Sequence, residues 1–123
     1  MRVYNRSKFM KLPVGGIFCK GEPWAFDRLH VKGATWPETN DFLACSLQWI
    51  ESDSSTQSTD RLDEMLETGA SYPMNADYGR DGCFDDNDVF LVWEPADLEK
   101  MIELFHAAIS AATAIPADGA SRR

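Results

Sequence analysis

The chain has little of what announces most functional classes. Its three cysteines, Cys19, Cys45 and Cys83, stand far apart, and no two form a C-x-x-C pair. An odd number without motif spacing reads as reduced thiols rather than a disulfide framework. With His30 and His106 they show no ligand spacing for zinc either. No apolar run reaches the roughly 18 residues that a membrane-spanning helix needs. The opening MRVYNRSKFM is charged and has no apolar stretch of the signal-peptide kind, so the expected location is cytoplasmic. Gly15-Gly16 lacks the spacing and the following helix of a phosphate-cradling loop. Bases are scarce: 12 Lys and Arg against 20 Asp and Glu, a net charge of −8. That balance disfavours direct contact with nucleic-acid phosphates or an anionic membrane surface.

What is present suits one small folded domain. The 123 residues are 44% hydrophobic, enough for a core and too much for general disorder. The charge is segregated. Residues 1–36 hold seven bases against Glu22 and Asp27, whereas residues 37–99 hold sixteen acids against Arg61 and Arg80. Either the basic beginning folds against the acidic middle, or the acidic surface awaits a basic partner.

Periodicity predicts an α+β domain in the order ββααβα, a short, mostly antiparallel sheet with helices packed on it. Residues 1–9 read as a flexible basic extension, 10–114 as the domain and 115–123 as a disordered tail. Residues 14–20 and 24–32 are strand-like and would pair as a hairpin through Lys20, Gly21, Glu22 and Pro23. From Asn40, a helical period carries Leu43, Leu47 and Ile50 on one face, with Asn40 as N-cap. The polar run SDSSTQST at 52–59 reads as a linker. A short helix follows, with Leu62, Met65 and Leu66 inward and Gly69 as its stop. VFLVWE at 89–94 reads as a strand buried on both faces. Pro95 then opens the longest helix, whose stripe of Leu98, Met101, Ile102, Phe105, Ile109 and Ala112 is expected to be buried.

Two acidic features are candidates for function. Asp60, Asp63, Glu64 and Glu67 are spaced i, i+3, i+4, i+7 and make a carboxylate stripe on the short helix. Residues 77–88 (DYGRDGCFDDND) resemble the EF-hand calcium loop at several of its twelve positions. Asp77 stands at the first position, Asp81 at the fifth, Gly82 at the sixth, Asp85 at the ninth and Asp88 at the last. Gly79 offers no side-chain oxygen at the third, Asp88 is shorter than the usual glutamate, and Pro73 and a strand flank the loop where an EF-hand has helices. A looser site for calcium or another divalent metal, through Asp77, Asp81, Asp85 and Asp88, is the alternative reading.

Catalysis by Cys83 is disfavoured, because Asp81, Asp85 and Asp86 would hold its thiol protonated. No single acid is marked out for acid–base work. Trp24 and Trp36, beside prolines, are expected to be the exposed tryptophans, and Trp49 and Trp93 the buried ones. The sequence therefore favours a small acidic binding module, more a non-enzyme than an enzyme, that uses no cofactor. It would be of inhibitor, immunity or anti-defence type and dock a basic protein through Asp60, Asp63, Glu64, Glu67, Asp77, Asp81, Asp85 and Asp86.

Overall fold

A computed structural model describes residues 1–22, 25–82 and 85–114. Its centre is one six-stranded antiparallel sheet in the spatial order β1-β6-β2-β3-β4-β5. The elements are β1 (Arg2–Asn5), α1 (Arg6–Phe9), β2 (Ile17–Glu22), β3 (Ala25–Trp36), β4 (Asp41–Ser46), α2 (Ser55–Thr68), β5 (Gly79–Arg80), β6 (Val89–Val92) and α3 (Pro95–Ala112). A single 3-10 turn, Pro37–Thr39, joins β3 to β4. The expected α+β class and small antiparallel sheet are present; the strand expected at 89–94 is β6, two residues shorter and fully buried on one face, with Val89 and Leu91 half-buried on the other.

Register assigns the two faces, because directly paired residues of antiparallel strands share a side. Phe18 pairs with Val92 and with His30, and His30 pairs with Ser46; Lys20 pairs with Phe90, and Lys32 with Ala44. This face carries the core of Phe9, Phe18, Phe42, Phe90 and Val92. The opposite face carries Ile17, Val31 and Cys45 in one row and Leu29, Cys19 and Leu91 in another. β3 is long enough to need a bulge between Lys32 and Thr35. Gly33 sits inside it, where a Cβ would come within 2.8 Å of Leu43 Cβ and 2.9 Å of a Tyr78 ring carbon. Only glycine lets these chains approach so closely.

Residues 1–9 are not a loose extension. β1 pairs along its whole length with β6, from Arg2 opposite Val92 to Asn5 opposite Val89. Asn5 then caps α1, its side chain accepting from Lys8 N at 2.9 Å. That single turn delivers Phe9, 1% exposed, onto the sheet. Its ring stacks on Phe90 at 3.9 Å and meets Phe18 and Phe42 edge-on at 4.7 and 5.1 Å. A strand of mixed polarity at a sheet edge gives weak alternation, and one helical turn gives no period at all, so neither was visible in the sequence.

The helix expected from Asn40 is the strand β4. Asn40 adopts the left-handed conformation (φ 53°), and Asp41–Ser46 pairs with β3 on one side and β5 on the other. Pairing on both edges overrides a helical spacing of apolar residues. α2 starts earlier than expected, inside the polar run: Ser54 caps it by accepting from Gln57 N, and Gly69 (φ 74°) ends it as anticipated. Leu62 and Leu66 are exposed rather than inward, and Met65 is half-buried. α3 begins at Pro95 as expected, with Asp97 accepting from Glu94 N at 2.9 Å. Its stripe, however, is not buried: Ile102, Phe105 and Ile109 are exposed, with only Leu98 and Met101 half-covered. The tail expected at 115–123, and the hairpin turn expected to include Pro23, fall outside the described residues.

Candidate functional site

The polar chemistry gathers where α1, β2, β4 and the segment following β5 meet. Arg6 is 1% exposed, yet its guanidinium is fully engaged. It donates to Asn40 O at 2.6 Å, to Asp81 Oδ2 at 3.2 Å and to Asp88 Oδ2 at 3.2 Å. Lys20 Nζ approaches the same two carboxylates, at 2.9 Å from Asp81 Oδ1 and 3.4 Å from Asp88 Oδ2. Two bases and two acids thus close into one quartet, in which each charge has an opposite neighbour. Burying Arg6 without them would be costly; with them, every donor direction that matters has an acceptor.

Beside the quartet, Asp41 is wholly buried and accepts from Phe42 N (2.8 Å), Gly82 N (3.2 Å) and Arg80 Nε (2.7 Å). Burial pushes its carboxyl upward, but the bond from Arg80 and the two backbone donors outweigh this and hold it below its ordinary 3.8. Arg80 also lies over the exposed Trp36 ring at 5.8 Å.

The sheet face next to this network opens into a cleft of about 450 Å³, lined by Phe18, Lys20, Asp27, His30, Ser46 and Asp77 among others. His30 stacks on Phe18 at 5.4 Å, and its Nδ1 lies 2.7 Å from Arg28 O. A carbonyl can only accept, so Nδ1 is the donor in this contact. Ser46 Oγ is buried without a hydrogen-bond partner among the described residues. His30 and Ser46 are register partners, but no hydrogen bond joins them, so the pair is not assembled as base and nucleophile.

The residues singled out from the sequence separate into two sets. Asp60, Asp63, Glu64 and Glu67 are all exposed on α2, with Glu64 accepting from the Tyr72 hydroxyl. Asp77, Asp85 and Asp86 are exposed as well; Asp86 accepts from Asn40 Nδ2 at 3.1 Å, and Asp85 accepts from Asn87 N at 2.9 Å. Asp81 and Asp88 instead face Arg6 and Lys20. The four acids of the calcium-like reading therefore do not converge: two are held by bases and two stand at the surface. Among the described residues no group of three or more His, Cys, Asp or Glu is arranged to hold a metal ion. Cys83, at the middle of that loop, lies outside the described residues, as does Trp24. Cys19 and Cys45 are free thiols; burial first, and then a nearby aspartate (Asp27 and Asp77 respectively), pushes both upward and keeps them protonated.

Arg6, Lys20, Asp41, His30 and Ser46 were not distinguished by the sequence. The one available signal was the set of bases in residues 1–36 opposite the acids in 37–99, without a way to pair them individually. No helix among the described residues is long and apolar enough to cross a membrane. No protein-family model, curated protein or solved structure matches the chain.

Proposed function

We propose that the chain is a small non-catalytic binding module that docks a basic protein surface through its acidic side, in the manner of inhibitor, immunity or anti-defence proteins. The unequal use of charge supports this reading. The quartet of Arg6, Lys20, Asp81 and Asp88 is neutral within itself and buried Lys32 is matched by buried Asp41, so the whole net charge of −8 is left to the rest of the chain. The carboxylates of α2 are exposed along one side of a helix, Glu64 also accepting from the Tyr72 hydroxyl, with Asp77, Asp85 and Asp86 exposed elsewhere. One turn of helix separates members of the α2 stripe by about 5 Å. A row of lysines and arginines on a partner can meet such a stripe, and the surrounding negative field would speed the encounter.

The test is affinity capture and binding by the intact chain at graded ionic strength. It compares wild type with a variant carrying Asp60→Asn, Asp63→Asn, Glu64→Gln and Glu67→Gln. Docking should fall steeply with salt, weaken by about 10-fold or more in the variant, and ignore EDTA. Capture that is indifferent to both salt and the four substitutions would refute the reading. Loss under EDTA would refute it as well, in favour of a metal-dependent contact.

A further inference from the structure

The second half of α3 is an apolar helix in water. From residue 102 to residue 114 every position is exposed, and Ile102, Leu104, Phe105 and Ile109 are 54, 61, 55 and 64% exposed. At roughly 200 Å² for a whole large apolar side chain, these four alone leave about 450 Å² of apolar surface uncovered. Ile102, Phe105 and Ile109 share one side and make about 350 Å² of this, a patch within the roughly 300–600 Å² of a typical monomer's largest, here on a single helix. Among the described residues its ion pairs to the rest of the fold lie at its start, where Asp97 and Glu94 hold the Met1 amine, so the eleven helical residues from 102 to 112 form a stretch that is marginal on its own.

We infer that α3 is a self-association surface and that its occupant is the α3 of a second copy of this chain, paired about a two-fold axis. Three observations select that occupant. The first is spacing: Leu98, Ile102, Phe105, Ile109 and Ala112 recur at alternating steps of four and three, the seam along which two helices interlock. The second is charge. In a chain of net charge −8, residues 104–114 (LFHAAISAATA) contain no acid and no base apart from His106. Two copies can therefore approach here without the repulsion that the rest of the surface would impose, whereas a basic partner would find nothing to pair with. A membrane surface is a poorer occupant, because interfacial helices need Lys or Arg on their polar side and this stretch has neither. The third is area. Leu104 lies on the opposite side of the helix, so two copies contribute about 700 Å² from Ile102, Phe105 and Ile109, and Leu98, Met101, Ala108 and Ala112 on the same side bring the total toward the roughly 1,200 Å² at which stable interfaces begin. Antiparallel pairing would set Ile102 of one copy against Ile109 of the other and align the helix dipoles favourably.

The experiment is light scattering and sedimentation of the full chain across concentration, with helicity followed by circular dichroism. Wild type should show twice the chain mass, with a dissociation constant on the order of micromolar or tighter, and should gain helicity as it associates. Ile102→Glu with Ile109→Glu should weaken association by about 100-fold, with the thermal melt of the sheet core retained because both residues are exposed in the monomer. The matching double lysine variant should be monomeric too, and mixing the two should restore a dimer. A wild type that stays monomeric at about 100 μM, a glutamate variant that still dimerises, or a mixture that stays monomeric would each overturn the inference.

Discussion

Phe9→Ala tests whether the first nine residues belong to the core or merely precede it. The ring is 1% exposed and touches three other aromatic rings, stacked on Phe90 at 3.9 Å and edge-on to Phe18 and Phe42 at 4.7 and 5.1 Å. Truncating a buried phenylalanine costs about 3–5 kcal/mol, from lost transfer energy and from the cavity left behind. This cavity would be slow to collapse, because its walls are rigid rings anchored on strands β2, β4 and β6. With an unfolding entropy of roughly 2.1 cal/mol/K per residue, a chain of this length loses about 15 °C in Tm for 4 kcal/mol. A domain stabilised by about 5–15 kcal/mol would survive, but narrowly. Urea and thermal unfolding of wild type, Phe9→Leu and Phe9→Ala supply the measurement, with the leucine variant losing about a third as much. Deleting residues 1–9 removes β1 and α1 together and uncovers β6 and the aromatic cluster; cooperative unfolding should vanish. A loss below about 1 kcal/mol in Phe9→Ala, or a cooperative transition in the deletion, would refute the placement of this segment in the core.

Two buried charges make pH-dependent predictions of opposite sign. Asp41 is held below its ordinary 3.8, so its stabilisation is present above that pH and is lost as pH falls through the lower native value. Asp41→Asn should therefore cost about 1–3 kcal/mol at pH 7, and the gap to wild type should close in acid; a gap independent of pH would contradict the role given to Arg80. Lys32, 1% exposed, donates to Thr35 Oγ1 at 2.6 Å and Gly33 O at 3.3 Å, and burial lowers its pKa below 10.5. Between the native value and 10.5 the unfolded chain binds more protons, so stability rises with pH across that window. Lys32→Met should be more stable than wild type at pH 7, by about 1 kcal/mol or more, and the advantage should shrink toward pH 10.5. A less stable methionine variant would mean that the two hydrogen bonds outweigh the desolvation.

Parts of the fold were legible because their signals are local. Pro95 with Asp97 marks a helix start, Gly69 marks a helix stop, and VFLV reads as a buried strand, since each depends only on residues within a turn or a strand of itself. The α2 carboxylate stripe was legible for the same reason: helical spacing alone places Asp60, Asp63, Glu64 and Glu67 together. The errors fall where a partner distant in sequence decides. Residues 41–46 carry a helical spacing yet form β4, because β3 and β5 supply hydrogen bonds on both edges. Arg6 reads as a solvated base until Asp81 and Asp88, more than seventy residues away, are brought against it.

The α3 stripe shows the opposite relation. Its amphipathic pattern is plain in the sequence, but a pattern states only that a face wants cover, and the tertiary fold leaves that face in water. The sequence by itself determined the net charge and its segregation along the chain, the class of fold and the elements with local signals. Which acids meet bases, which strands share an edge and which apolar face stays bare were decided only by the tertiary structure, because each depends on long-range pairing, and loop closure brings together residues that no local period connects.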